Sequence, residues 1–308
     1  MKIWQADLAI LLAGSLWGFT FLFSRWGLAD CSPALFMFCR VLVASLVGLA
    51  LMWKMIRRTS RAVLKEGLIL GALTGSGYLL QVYSINFTTV ARASFLTGMC
   101  LVGIPVLSYI LFRQVVKPHS LAGVIIAVIG LYVFLDPTFG GINPGDVIGL
   151  IAIPVWALYM IYMSVYTEGK TDPDVTYQFL FWQLTAILPL ALITFLVFES
   201  GLILAPLHPD LGKGLTITPS FLLGVGFTAV LGTLAPVFLH TRSQKYTTAI
   251  QAMICFQFEP ITAMVASYFI LSEPVNTRTV VGAAIIVAAV VVSETGGYFS
   301  DSRRKPPA

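Results

Sequence analysis

A glutamate in the middle of an apolar run is the residue of this chain best placed to do chemistry. Glu259 precedes Pro260 near the centre of the run Thr247–Leu271. If that run crosses a bilayer, the acid sits where a charge costs at least about 2.5 kcal/mol. Pro260 removes a backbone donor beside it and loosens the helix there. Gln251, Cys255 and Glu259 are spaced i, i+4, i+8 and share one helical face, which should turn away from lipid. Glu259 could carry a proton or hold a substrate amine. The competing reading is a neutral or paired carboxyl that bonds backbone groups freed near Pro260.

Arg40 is the second buried charge, about 10 Å along its helix from Pro33. It could hold a substrate carboxylate. The alternative is an interhelical pair or bonds to backbone carbonyls, with some room for the long stem to snorkel. Trp17 and Trp156 each fall mid-run, whereas interfacial belt tryptophans sit near helix ends. Thr20 continues the face of Trp17, and Tyr159 that of Trp156. Aromatic rings with polar tips suit the wall of a substrate pocket, or plain packing in a bundle. Tyr78 and Gln81 share a face of the third run with Thr74. Gln178, Trp182 and Thr185 of the seventh run read as interhelical hydrogen-bonding groups. The glycines at 71, 75, 77, 224, 226 and 232 read as points where helices touch or bend.

The elements that must position these residues are apolar helices. The chain has 308 residues, of which 57% are hydrophobic and 11% charged, with a mean hydropathy of +0.88. One globular core cannot absorb that composition, so the apolar residues need lipid as solvent. Ten runs stand out: Leu8–Leu28, Pro33–Trp53, Gly67–Phe87, Ala91–Phe112, Leu121–Leu135, Val147–Tyr166, Val175–Phe198, Pro219–Leu239, Thr247–Leu271 and Thr279–Ser293. The first is longer than a signal-peptide core and reads as a retained helix. No alternation suggests a barrel. Lys and Arg gather in alternate connections, notably at Lys54–Lys65, Arg113–Lys117 and Arg303–Lys305. That asymmetry places both termini in the cytoplasm.

The second half repeats the first. Trp17 corresponds to Trp156, Ile104-Pro105 to Glu259-Pro260, Cys100 to Cys255 and Gly123 to Gly282. An odd number of crossings per half inserts the halves in opposite directions, a transporter design with its site near the midplane. The boundaries fall at 1–136 and 144–299, followed by a basic cytoplasmic tail at 300–308. Other functions fit poorly. The net charge of +5 is not laid out as a nucleic-acid stripe. The four cysteines form no CxxC, so neither a metal site nor a disulfide framework is indicated, and no cofactor is called for. His119, His208 and His240 fall in or beside predicted loops, HExxH and GxSxG are absent, and an enzyme is not expected. A passive channel or a receptor remains the rival, although no selectivity ring is visible. Monomer and homo-oligomer both stay open.

Leu16-Trp17-Gly18, Arg40 seven residues after Pro33, Glu259-Pro260-Ile-Thr-Ala, and Leu271-Ser-Glu273-Pro274 followed by Gly282 together resemble the drug/metabolite transporter superfamily, in its ten-helix EamA-like branch. The resemblance covers nearly the whole chain. It departs at Phe112-Arg113-Gln114, where the family often carries a Gly-Glu pair. The resemblance implies an all-α membrane protein with ten transmembrane helices in two inverted five-helix repeats around a central cavity. It also implies transport of metabolites, often export of amino acids or related compounds, by alternating access, in a bacterial inner membrane. Nucleotide-sugar or drug-cation carriage is the alternative within the superfamily. Trp17, Thr20, Tyr78, Gln81, Trp156, Tyr159, Gln251 and Glu259 are the expected substrate contacts, with Glu259 and Arg40 as proton or charge sites.

Overall fold

A computed structural model describes residues 3–113, 118–135, 141–170, 172–203, 209–246, 252 and 255–301. Every regular element among them is helical: α1 (Ile3–Gly27), α2 (Pro33–Ile56), α3 (Arg61–Phe87), α4 (Val90–Gly98), α5 (Cys100–Phe112), α6 (Pro118–Leu135), α7 (Pro144–Thr167), α8 (Asp174–Phe198), α9 (Pro219–Ala229), α10 (Ala235–Gln244), α11 (Phe258–Leu271) and α12 (Thr277–Asp301). Seven stretches are long and apolar enough to cross a membrane, among them Val90–Leu111 and Pro219–Gln244, each of which joins two helices. Leu121–Phe134, Phe258–Leu271 and Thr277–Ala289 are shorter apolar helices. Leu46, Leu51, Ile151, Leu222 and Phe269 lie exposed, an apolar exterior suited to lipid.

One end of the bundle is stitched by side chains that satisfy helix N-termini. Thr89 and Thr218 accept from Arg92 N and Phe221 N, and Asn143 with Asp146 forms a reciprocal capping box, while Ser60 accepts from Val63 N at the opposite end of α3. Two acids do the same across the bundle. Glu199, just past α8, accepts from Ala34 N at 2.9 Å and Leu35 N at 3.3 Å, at the start of α2, and from the Tyr83 hydroxyl at 2.6 Å. Glu273, just past α11, accepts from Val90 N at 2.9 Å and Ala91 N at 3.3 Å, at the start of α4. A carboxylate on a helix N-terminus meets both free N–H groups and the positive end of the helix dipole. Burial pushes the Glu199 carboxyl above its ordinary range, against the pull of Tyr83 and Ala34. Asp146 adds an ion pair with Arg92 at 2.7 Å and accepts from Thr88 at 2.9 Å. The sequence shows Glu273-Pro274 only as a helix stop; the cap on α4 is a contact made in three dimensions.

Helices approach closely where a side chain is missing. A Cβ on Gly71 would lie 2.5 Å from the Gln183 carbonyl oxygen, so α3 and α8 cross backbone to backbone. Gly18 brings α1 equally close to α11, 2.6 Å from the Glu259 carbonyl oxygen. Gly77 faces the Trp156 ring, Gly224 the Phe23 carbonyl, and Gly232 the Thr20 hydroxyl. Gly226 is the exception to the expected role, since a Cβ there meets nothing within 4 Å.

Several run boundaries differ from expectation: α3 begins at Arg61, not Gly67, and α12 ends at Asp301, not Ser293. The first helix begins at Ile3, not Leu8. The fourth run is not continuous: α4 ends at Gly98 and α5 starts at Cys100, and the Gly98 carbonyl accepts from Gln257 Nε2 at 3.1 Å. The eighth run continues past Leu239 to Gln244, through a π-helical turn at Val230–Leu234. The segment His240–Gln244 is polar in sequence, but His240, Thr241, Ser243 and Gln244 are buried. Hydropathy ended the run early because it cannot see polar groups covered by neighbouring helices.

The glycine contacts make a paired test. Gly71→Ala should lower thermal stability by about 1–3 kcal/mol through overpacking. Gly226→Ala should stay within about 0.5 kcal/mol of the parent. Thermal unfolding of purified protein in detergent, followed by circular dichroism, checks both.

Candidate functional site

A cavity opens where α1, α3, α7, the α4/α5 break and α11 meet. Trp17 comes from α1, Tyr78 and Gln81 from α3, and Trp156, Tyr159 and Met160 from α7. Thr97, Gly98 and Cys100 flank the break in the fourth run, and Phe256 and Glu259 approach from the ninth. The free space within this shell is about 30 Å³, room for a water molecule or two, so a larger solute has to widen it.

Each wall has a local cause. Gly18 lets α1 press onto the backbone at Glu259, which sets Trp17 beside the acid. Gly77 does the same for Trp156, whose ring atoms would lie 2.7 Å from a Cβ at that position. The Gly98 turn accommodates Pro260, whose Cγ lies 3.3 Å from where a Cβ would be. The Leu16-Trp17-Gly18 and Glu259-Pro260 motifs are thus one contact, seen from its two sides. Interrupted helices are tolerated at membrane depth where they line a cavity.

The rings form a connected cluster. Trp156 meets Tyr78 edge-on at 5.3 Å and Tyr159 at 5.8 Å, and Trp17 meets Phe256 at 5.0 Å. His240 closes the cluster from behind, edge-on to Trp17 at 6.0 Å, to Tyr159 at 5.8 Å and to Phe256 at 4.9 Å. Its Nε2 pairs with Gln244 Oε1 at 2.8 Å, and the ring is fully buried. The sequence places His240 in or beside a loop; the structure corrects this, because the π-helical turn carries the helix one polar segment further. The spacing of His240 and Gln244, i and i+4, was the available signal for a buried pair.

The expected contacts separate clearly. Trp17, Tyr78, Gln81, Trp156, Tyr159 and Glu259 line the cavity. Thr20 is not among the lining residues: its hydroxyl donates to the Leu16 carbonyl at 3.0 Å and its side chain faces Gly232. Gln251 lies outside the described residues. Gln178 and Trp182 hold α8 to the end of α2, through the Met55 carbonyl at 3.0 Å and the Thr59 hydroxyl at 3.1 Å. Tyr159 and Thr74 both reach Gln183 Oε1.

Arg40 sits beside the cavity rather than in its wall. Its Nε donates to Thr233 Oγ1 at 2.8 Å and its Nη2 to the Gly232 carbonyl at 3.0 Å, both in the π-helical turn. The Thr233 hydroxyl donates in turn to the Thr228 carbonyl at 2.8 Å. The guanidinium carbon lies 4.5 Å from the Tyr78 ring centroid. The bonds to backbone expected for Arg40 are therefore present, together with a cation–π contact. Among the described residues, no group of three or more His, Cys, Asp or Glu side chains could hold a metal ion.

An apolar helical bundle around a small aromatic cavity with interrupted helices is an architecture that membrane transporters use. The chain belongs to the EamA-like transporter family, whose model matches residues 4–135 and again residues 143–295. An uncharacterized transporter of Archaeoglobus fulgidus is 26% identical over 298 residues, covering 95% of this chain and 86% of that one. The uncharacterized transporter YoaV of Bacillus subtilis is 21% identical over 304 residues, with 97% and 98% covered. A solved crystal structure superposes with a TM-score of 0.67 over 98% of this chain and 100% of its own, at 15% identity, a likeness of fold alone.

The Gly77–Trp156 contact gives the second test. Gly77→Ala should push the indole into the cavity and lower the initial rate of transport at least about tenfold, with a stability loss of about 1–3 kcal/mol. Flux in proteoliposomes and thermal unfolding, measured on the same preparation, check the two effects separately.

Proposed function

We propose that the protein is a secondary carrier of small zwitterionic metabolites, amino acids above all, and that it moves them outward by alternating access. The observation that carries this reading is the cavity itself: aromatic walls from Trp17, Tyr78, Trp156 and Tyr159, closed at one side by the single carboxylate Glu259. Aromatic faces favour an ammonium and an apolar side chain, and a carboxylate at membrane depth invites a cationic partner or a proton. Gln81 and Gln251 complete the polar lining in this reading. Glu259 binds the substrate amine or, when that is absent, a proton.

Ten membrane crossings in two inverted five-helix repeats, 1–136 and 144–299, would place this cavity between the halves. The double match of one family model supports that division, as do the seven long and three shorter apolar helices. The two halves interlock in a matched way. Gly18 of α1 packs on α11, and Gly103 of α5 packs on Ile153 and Ala157 of α7, so the first helix of each proposed repeat lies on the fourth of the other. The Lys and Arg distribution favours cytoplasmic termini in a bacterial inner membrane. The cavity gathers no nucleophile–base pair, which favours carriage over catalysis.

Counterflow in proteoliposomes with labelled aromatic, small neutral and cationic amino acids tests the reading. Saturable exchange strongest for one class is expected; no exchange by folded protein across the panel would remove amino acids as substrates. In the same vesicles, Glu259→Gln should abolish the pH dependence of flux. An unchanged pH profile would exclude Glu259 as the proton carrier.

A further inference from the structure

Two of the buried ionisable side chains, one in the cavity wall and one beside it, do not meet. Arg40 is fully buried and Glu259 nearly so, and no ion pair joins them among the described residues. Between them stands Tyr78, which carries the guanidinium on its ring face and lies within the electrostatic reach of both. Its hydroxyl is buried without a hydrogen bond in the cavity wall, and so is the indole N–H of Trp17. The two groups are close neighbours, with the Trp17 N–H facing the Tyr78 oxygen at the margin of a hydrogen bond that is not fully formed. Arg40 spends two nitrogens on the π-helical turn, while its Nη1 is buried with no partner among the described residues. A buried donor left unpaired costs about 1–3 kcal/mol, so two in one corner of a cavity wall call for an acceptor.

We propose that the Trp17–Tyr78 corner is a carboxylate subsite, and that Arg40 is the positioning residue behind it. The inference rests on the zwitterion reading and assigns its two ends: the substrate ammonium faces Glu259, and the substrate carboxylate accepts from Trp17 Nε1 and the Tyr78 hydroxyl. Arg40 acts through Tyr78. A cation held 4.5 Å from the ring centroid polarises the phenol and favours a negative group at its hydroxyl. The donor set suits a single negative charge. Both groups that would touch the anion are neutral, and the one full positive charge is screened behind a ring, whereas a phosphate dianion calls for cations in direct contact. The charges also balance. With Glu259 ionised, as it is once a substrate ammonium faces it, Arg40 and Glu259 sum to zero, as does a zwitterion, so a substrate laid between them with its dipole opposed satisfies both without adding net charge to the membrane interior.

Binding to purified protein in detergent tests this, because lipophilic amines leak through vesicles. The probes are phenylalanine, phenethylamine, which lacks the carboxylate, and 3-phenylpropionate, which lacks the ammonium; alanine, ethylamine and propionate form a second set. Titration calorimetry should show parent protein preferring the amino acid over its amine by about tenfold or more. Tyr78→Phe, which removes one oxygen, should collapse that preference while leaving amine affinity within about twofold. Arg40→Gln should collapse it too, and Arg40→Lys should retain part of it; a purely structural role for Arg40 would weaken both ligands alike. If Tyr78→Phe lowers both ligands equally or neither, the subsite is wrong while amino-acid carriage stands. If folded parent protein binds the amines and not the amino acids, or none of the probes, the zwitterion reading fails and takes the subsite with it.

Discussion

A polar group at membrane depth has to find its partner inside the protein, because hydrocarbon offers none. Most of this architecture follows from that constraint. The helix N-termini at one end are closed by Glu199, Glu273 and the Asn143–Asp146 box. The carbonyl freed at the Gly98 break is taken by Gln257, and the irregular turn at Val230–Leu234 is held by Arg40 and Thr233. The wall of the cavity carries groups of another kind. There the indole nitrogens of Trp17 and Trp156 and the hydroxyl of Tyr78 stay without acceptors, beside the carboxylate of Glu259. Other buried polar atoms without a partner among the described residues lie elsewhere in the bundle, at Ser24, Ser45 and Thr241 for example, but the two indoles and the Tyr78 hydroxyl face a cavity, where a transported solute would supply the missing partners.

The cavity depends in turn on close backbone approach. Gly18 against Glu259, Gly98 against Pro260 and Gly77 against Trp156 each replace a side chain with a neighbouring helix. Larger residues there would push apart the surfaces that carry Trp17, Glu259 and Trp156. Membrane helices gain little from hydrophobic association and rely on such contacts for packing. The two halves are not chemically equal. The residue before Pro105 is Ile104, a buried apolar residue, where the second half has Glu259 before Pro260. The acid before the proline is thus present in one half only, and it lines the cavity where Ile104 does not.

Much of the cavity wall was legible in the sequence. Trp17, Trp156, Tyr78, Gln81 and Glu259 stood out because polar or amphipathic residues in the middle of apolar runs are rare, and rarity at that depth is itself the signal. What the sequence hid was of two kinds. His240 was hidden because its segment is polar and hydropathy ends the run before it; only the helices covering it make it a core residue. The capping roles of Glu199 and Glu273 were hidden because each acid serves a helix far away in sequence, 165 residues in the case of Glu199 and Ala34. Thr20 misled for a related reason: it shares a face with Trp17, but one turn further along that face meets Gly232 rather than the cavity. Spacing fixes which residues share a face and does not fix what the face meets.

The most direct test of the central claim, that the solute occupies this aromatic cavity, is fluorine NMR of protein labelled with 5-fluorotryptophan and assigned by single Trp→Phe changes. The chain offers built-in controls, since Trp4 and Trp53 are exposed on the exterior and Trp182 is bonded to Thr59, away from the pocket. Added phenylalanine or alanine should shift the Trp17 and Trp156 resonances and leave those of Trp4, Trp53 and Trp182 in place. Saturable shifts confined to the other tryptophans, with Trp17 and Trp156 unmoved, would contradict the account and put the binding site elsewhere in the bundle.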